Sequence, residues 1–374
     1  MPTIDLGIVG ASGRGGSFQM ALDAYNDVRV SAVCDINLYD DDIEEAAAAL
    51  GATETYRDYN AMLVQHDLDA VLIGTPVQHH VTQAIGALDR DIHVLSEVPT
   101  SVGIGESRDL VRAVENAEAT YMMAENYVYM WSNQAVQELV DRGLFGEPYY
   151  AEGEYLHELK DLHERTPWRR VWGSDRNGIT YPTHSLGPIL QWWQDDRVER
   201  VTCAGSGYHH RDPRGEKYGM EDGCVMLAET ERDRLIKIRF DTLSDRPHAM
   251  DNYQMQGTEG AYESARSRDE PDRIWLSDME TADRSHDYEW HDLGDVTTNY
   301  GIEPWGDAPD SAHEAGHGGG DFFVVKTFLD SIIAGEKPPI GIHEAMDMTL
   351  PGLATLESMR NDGEWVPVPD SREW

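Results

Sequence analysis

The chain has 374 residues, with 69 Asp and Glu against 30 Lys and Arg, a formal net charge of −39. That length exceeds one ordinary domain and suits two. The charge excludes nucleic acid and anionic membranes as partners, and no run of eighteen apolar residues is present to span a bilayer.

The acid is spread along the whole chain, and only five of the basic residues are lysine (Lys160, Lys217, Lys237, Lys326, Lys337). A global pattern of this kind reads as a halophilic surface, because at about 1 M salt the Debye length is only ~3 Å and neighbouring carboxylates cease to repel. Met1–Leu6 leads straight into a strand-like segment without a basic or apolar leader, so a cytoplasmic protein is expected. Cys34, Cys203 and Cys224 lack CxxC spacing. They imply neither a disulfide framework nor a zinc site, and no metal is expected.

Residues 1–124 alternate short apolar strands (Ile4–Val9, Val28–Cys34, Ala70–Ile73, His93–Leu95, Thr120–Met123) with helical stretches such as Asp40–Leu50 and His79–Leu88. This alternation predicts an α/β fold, a doubly wound parallel sheet. After Glu125 a helix over Trp131–Arg142 stops at Gly143. Strands then follow in succession at Tyr149–Tyr155, Val198–Gly205, Gly223–Ala228, Leu235–Phe240 and Asn252–Gln256, with a turn at Gly257–Gly260. Residues 125–374 therefore read as an α+β domain with a large, mostly antiparallel open sheet. Ser264–Ala315 reads as long loops, and helices Asp321–Ala334 and His343–Arg360 close the chain. The last helix is free to pack back on the first domain.

Gly7-Ile-Val-Gly10-Ala-Ser12-Gly13-Arg14-Gly15-Gly16 follows the first strand and opens the first helix, the context that a dinucleotide fingerprint requires. Gly10 permits the tight turn, Ser12 stands small where glycine is usual, and Gly15 allows close helix–strand packing. The helix N-terminus then faces the phosphates. Asp35 ends the second strand, where a carboxylate accepts hydrogen bonds from the adenosine ribose. Asn37 and Leu38 follow it with no Arg or Lys alongside, so NAD is favoured over NADP.

From these residues onward the sequence resembles the Gfo/Idh/MocA oxidoreductases over essentially its full length. Thr75-Pro76-Val-Gln-His-His80 is similar to the family turn that lies along the dinucleotide, and Glu97-Val98-Pro99 to its Glu-Lys-Pro motif. The resemblance implies cofactor contacts from Thr75, Pro76, His80 and Glu97. Two departures stand at catalytic positions: Val98 replaces the lysine that orients the substrate hydroxyl, and Thr180 replaces the Asp four residues before the catalytic His.

Tyr181-Pro-Thr-His184 places two polar rings one turn apart at a helix start, with Pro182 suited to the first turn. This motif resembles the NAD-dependent α-N-acetylgalactosaminidases of the same superfamily, as do Glu125-Asn126-Tyr-Val-Tyr129, Trp168-Arg169 and His317-Gly-Gly-Gly-Asp321. The resemblance implies that Tyr129, Tyr181 and His184 are catalytic and contact the sugar. It places Asn126 near the nicotinamide, and Trp168, Arg169 and His317 on the substrate side. Such enzymes need no carboxylate pair flanking the bond. Transient oxidation at C3 acidifies the C2 proton, and its loss expels the group on C1. An imidazole, with an ordinary pKa of about 6.5, makes His184 the best base, and the phenols, near 10, serve as donors.

Other clusters read as structural. Glycines break the helical register of His313, His317 and Asp321; Tyr208–Asp212 reads as a polar loop at the substrate mouth or an oligomer contact; Trp192 and Trp193 read as packing. The leading expectation is a redox-neutral, NAD-dependent glycosidase or lyase. Its rivals are an NAD-dependent sugar or polyol dehydrogenase and a non-catalytic dinucleotide or sugar sensor. A homo-oligomer, dimer or tetramer, is expected.

Overall fold

The computed structural model describes residues 3–25, 27–36, 40–166, 168–169, 176–194, 196–267, 269–279, 289–306 and 308–374. Asn37 and Leu38 lie outside the described residues. The chain forms two compact units. One runs to Tyr129 and takes in Ala308–Thr349 and Asp370–Trp374; the other comprises Met130–Asp307 and Leu350–Pro369. The sequence reading drew one boundary, after residue 124, whereas the chain returns to its first unit twice.

The first unit holds a six-stranded sheet of β1 (Ile4–Val9), β2 (Val28–Cys34), β3 (Glu54–Tyr56), β4 (Ala70–Ile73), β5 (His93–Ser96) and β6 (Tyr121–Met123). Their order is β3-β2-β1-β4-β5-β6, every pair parallel. The central strands are buried along nearly their whole length, as β4 shows over Ala-Val-Leu-Ile. Strands covered on both faces read as continuous apolar runs rather than alternating ones. The three-residue β3 escaped the sequence reading because it is short, polar and not buried. Helices α1 (Gln19–Asp23), α2 (Asp40–Leu50), α3 (Tyr59–Gln65), α4 (His80–Leu88) and α5 (Ile104–Asn116) make the crossovers. The strand order reverses between β1 and β4, the switch point at which open α/β sheets bind ligands.

Among the described residues the second unit is built on nine strands: β7 (Pro148–Leu156), β8 (Val198–Gly205), β9 (Gly223–Thr230), β10 (Leu235–Asp241), β11 (Ala249–Gly257), β12 (Gly260–Glu263), β13 (Arg273–Leu276), β14 (His291–Asp292) and β15 (Val366–Pro367). All neighbours are antiparallel except β7 and β10. Burial alternates along β9 and β10, so one face is covered and the other open. The unit's helices are α6 (Trp131–Asp141), α7 (Lys160–Arg165), α8 (Thr183–Trp192) and α9 (Leu293–Tyr300). Helix α8 lies against β7, where Gly153 is required: a Cβ there would stand 2.7 Å from Ser185 O. Trp192 and Trp193 are core residues, 2% and 1% exposed, and Trp192 Nε1 donates to Asn133 O at 3.0 Å.

The expectation of long loops over Ser264–Ala315 is corrected by β13, β14, α9 and α10 (Asp310–Glu314). These elements are two to eight residues long, too short for periodicity to show among Asp, Ser and Trp. Local chemistry delimits α9 instead: the Asp292 carboxylate accepts from Gly294 N at 2.8 Å, and Gly301 ends the helix at φ 62°. Helix α11 (Gly320–Ala334) belongs to the first unit, and α12 (Ile342–Arg360) begins in the first unit and ends in the second.

Candidate functional site

In the first unit the glycine-rich turn meets the turn after β4. Gly10 adopts φ +80°, and a Cβ there would lie 2.6 Å from Gly74 O; one on Gly74 would lie 2.4 Å from Gly15 N. Backbone therefore packs on backbone at the switch point, and Gly74, absent from the sequence reading, is as necessary as Gly10 and Gly15. Gly13 N and Gly15 N both donate to Gly10 O at 3.1 Å. The turn leads into a 3-10 helix, Arg14–Phe18, before α1.

Ser12 N and Oγ both donate to Asp35 Oδ2, at 2.9 and 2.5 Å. The β2 carboxylate is thereby held against the glycine-rich turn. Thr75 Oγ1 donates to Gln83 Oε1 at 2.5 Å, and Pro76 follows it into the 3-10 turn Val77–His79. His80 is 1% exposed, with Nδ1 3.0 Å from Pro99 O and Nε2 2.8 Å from Thr75 O. Burial lowers its pKa despite both carbonyls. Both nitrogens face backbone carbonyls, so the ring sits between the Thr75-Pro76 turn and the Glu97-Val98-Pro99 turn and donates to one of them. Val98 is buried, and its N–H donates to Glu97 Oε2 at 3.0 Å.

Arg14 joins these turns to α11. Its Nε donates to Glu97 Oε1 at 2.7 Å, and its two terminal nitrogens donate to Asp321 Oδ2 and Oδ1 at 2.9 and 2.7 Å. Asp321 is 1% exposed and also receives His317 Nδ1 at 3.1 Å and Asn126 Nδ2 at 2.7 Å. Burial opposes its charge, but the bonds from Arg14 and His317 prevail and hold the carboxyl well below the usual range. His317, expected on the substrate side, is thus engaged with Asp321, and its ring lies 5.9 Å from that of Tyr127. Asn126 is 1% exposed, and its Oδ1 is buried with no protein partner. Tyr129 ends the 3-10 helix Asn126–Tyr129. Burial pushes its phenol well above the usual range, against a hydrogen bond with Thr327 of α11, which makes it a hydroxyl rather than a base.

In the second unit, α8 starts at Thr183 with Pro182 one position earlier, as N-cap. Tyr181 and His184 meet edge-to-face, ring centroids 4.9 Å apart. Tyr155 of β7 completes the cluster at 5.5 Å from Tyr181 and 5.7 Å from His184, and stacks on Phe240 at 6.0 Å. The Tyr155 hydroxyl lies 3.0 Å from His157 Nδ1, and the His157 ring meets His248 at 4.4 Å. Tyr253 donates its hydroxyl to His184 O at 2.5 Å, fixing the helix start from β11. Tyr155 and His157 were missed by the sequence reading. Their i, i+2 spacing at a strand end, which puts both on one face, was the available signal.

The Trp168 ring carries the Arg169 guanidinium 4.2 Å from its centroid. The Tyr208–Asp212 loop is held by Asp222, which accepts from His209 N at 3.1 Å and lies 2.6 Å from His210 Nδ1. Among the described residues no three His, Cys, Asp or Glu side chains converge as a metal would require, and no helix is long and apolar enough to cross a membrane.

A nicotinamide dinucleotide fits the first unit's residues. The glycine contacts leave backbone alone at the switch point, Asp35 is fixed at the end of β2, and Asn126 presents an orphaned buried acceptor. Comparison with known proteins agrees. Residues 4–125 match the oxidoreductase family NAD-binding Rossmann fold, and residues 129–373 match the glycosyl hydrolase 109 C-terminal domain. A glycosyl hydrolase family 109 protein of Saccharopolyspora erythraea is 29% identical over 98% of this chain and 83% of its own length. An alpha-N-acetylgalactosaminidase of Shewanella oneidensis is 27% identical over 99% and 85%. Among solved structures, levoglucosan dehydrogenase in complex with NADH has the same fold, with TM-score 0.81 at 19% identity, covering 98% of this chain and 100% of that one. The chain belongs to the glycosyl hydrolase 109 family and is an NAD-dependent, sugar-acting enzyme of the Gfo/Idh/MocA type.

Proposed function

We propose that this enzyme cleaves the glycosidic bond of an N-acetylgalactosaminide-type sugar without net oxidation. The observation that carries this reading is the packing of Tyr155, Tyr181 and His184 within 4.9 to 5.7 Å of one another, while the residue after Glu97 is the aliphatic Val98. When bound, NAD supplies reversible hydride acceptance at a secondary alcohol of the sugar. His184 takes the proton from that alcohol, and its 5% exposure keeps bulk water from competing. Tyr181 positions the hydroxyl, and Tyr155 passes a proton at C2 toward His157. Tyr129, Trp168 and Arg169 remain assigned to sugar contact, and Thr75, Pro76, Glu97 and Asn126 to the cofactor.

The test uses purified enzyme, NAD, p-nitrophenyl α-N-acetylgalactosaminide and a panel of free sugars. Nitrophenol release without net NADH supports the proposal. Steady NADH formation identifies a dehydrogenase, and binding with neither product identifies a sensor.

The protein works in the cytoplasm, where NAD and reduced thiols such as its three buried cysteines are at home. It pairs with itself through the open face of the second unit's sheet, where Val225, Leu227 and Leu235 share a side with Lys237 and Glu152. Val225 is 40% exposed there. A Val225→Glu variant sedimenting at the wild-type mass overturns that pairing. The acidic surface adapts the enzyme to molar salt.

A further inference from the structure

We propose that Asp321 is a positioning residue: it fixes the side-chain amide of Asn126 so that the carbonyl oxygen, and not the NH2 group, meets the carboxamide N–H of a bound nicotinamide. The inference rests on the NAD reading above. An ionised carboxylate only accepts hydrogen bonds, so the Asn126 atom 2.7 Å from Asp321 Oδ1 must be the donor Nδ2. Asp321 is itself saturated. Oδ1 takes Arg14 and Asn126, Oδ2 takes Arg14 and His317, and the group cannot rotate without giving up four bonds.

The remaining end of the amide, Oδ1, is buried without a protein partner. A buried acceptor left unmade is costly, which points to a ligand donor. Residue 126 follows β6 at the carboxyl end of the parallel sheet, where the nucleotide rings of such folds lie. The backbone on both sides is fixed as well. Gly320, the first residue of α11, packs on the Asn126 carbonyl, where a Cβ would come to 2.3 Å. An acceptor so placed distinguishes a carboxamide from a carboxylate at the same position on the ring.

The experiment measures the dissociation constants of NAD+, nicotinic acid adenine dinucleotide and ADP-ribose by calorimetry on the full chain, in wild type, Asp321→Asn and Asn126→Leu. The wild type is expected to prefer NAD+ over the acid analogue by about 30-fold or more, since the analogue opposes an acceptor with an acceptor. In Asp321→Asn the amide is free to turn and donate Nδ2 to the carboxylate, so the preference narrows to about threefold or less. Asn126→Leu narrows it equally while keeping the charge of Asp321, so relief of repulsion cannot account for the change. It also supplies the answer if Asp321→Asn does not fold.

An NAD+ to acid-analogue ratio that stays at its wild-type value in both variants overturns the proposal. A wild type that binds ADP-ribose and both dinucleotides alike overturns it while leaving the dinucleotide site standing. A wild type that binds none of the three removes both.

Discussion

The Tyr155 hydroxyl and His157 Nδ1 stand 3.0 Å apart at the end of β7, and the ring of Tyr155 is within 5.7 Å of His184. A buried phenol is thus connected to a half-buried imidazole, and through it to the exposed His248 ring at 4.4 Å. Replacing Tyr155 by Phe keeps the stacking on Phe240 and removes only the hydroxyl. We expect kcat to fall about 10²-fold or more, the range for a lost general acid or base, with Tm unchanged. His184→Ala should be at least as damaging, and full turnover in that variant would refute the assignment of His184. Steady-state kinetics with an aryl glycoside, beside a thermal melt, checks both.

Asp321 gives a pH signature. Its folded pKa is depressed, so the stability it contributes is fully present above the ordinary carboxylate value of about 4 and is lost as pH falls toward the folded value. Asp321→Ala leaves Arg14 without its bidentate partner and is expected to cost about 3 kcal/mol at pH 7. The gap between variant and wild type should begin to narrow below about pH 4. Urea titrations at pH 7 and at pH 3.5 decide the matter; an equal gap at both contradicts it.

Gly320→Ala introduces a methyl 2.3 Å from a backbone carbonyl that cannot swing away as a side-chain tip would. The expected cost is about 1–3 kcal/mol, together with weaker NAD binding as the backbone of Asn126 shifts. Gly335→Ala is a different control: its Cβ meets nothing, but its φ of +67° makes the cost purely conformational, with NAD binding unaffected. Equal NAD affinities in the two variants would count against the special role of the Gly320 contact.

The charge of −39 predicts a Tm that climbs with salt, since the screening length shrinks from about 10 Å at 0.1 M to about 3 Å at 1 M. A melting temperature that is the same in dilute buffer and in molar KCl removes the halophilic reading.

Much of the first unit was legible because a parallel sheet buried on both faces writes itself as apolar runs, and because Gly10, Ser12 and Asp35 lie within one strand–turn–helix–strand segment. Tyr181 and His184 were legible for the same reason, being local. What escaped was assembled from afar: Asp321 is 307 residues from Arg14 and 195 from Asn126, and no spacing pattern relates them. His317, which the resemblance places on the substrate side, also has Nδ1 3.1 Å from Asp321 Oδ2, a partner four residues on that the sequence does not mark as one. Tyr155 was hidden by its strand, where an aromatic residue is ordinary, and β13 and β14 were too short for their alternation to rise above an acidic background.

The return of residues 308–349 to the first unit has a bearing on how this protein can be divided. A fragment cut after residue 129 would keep the glycine-rich turn but lose α11, leaving Arg14 with a single carboxylate and Asn126 with an unanchored amide. Neither half is then a self-sufficient module, and a domain exchange with a relative succeeds only when four crossover points, not one, are moved together.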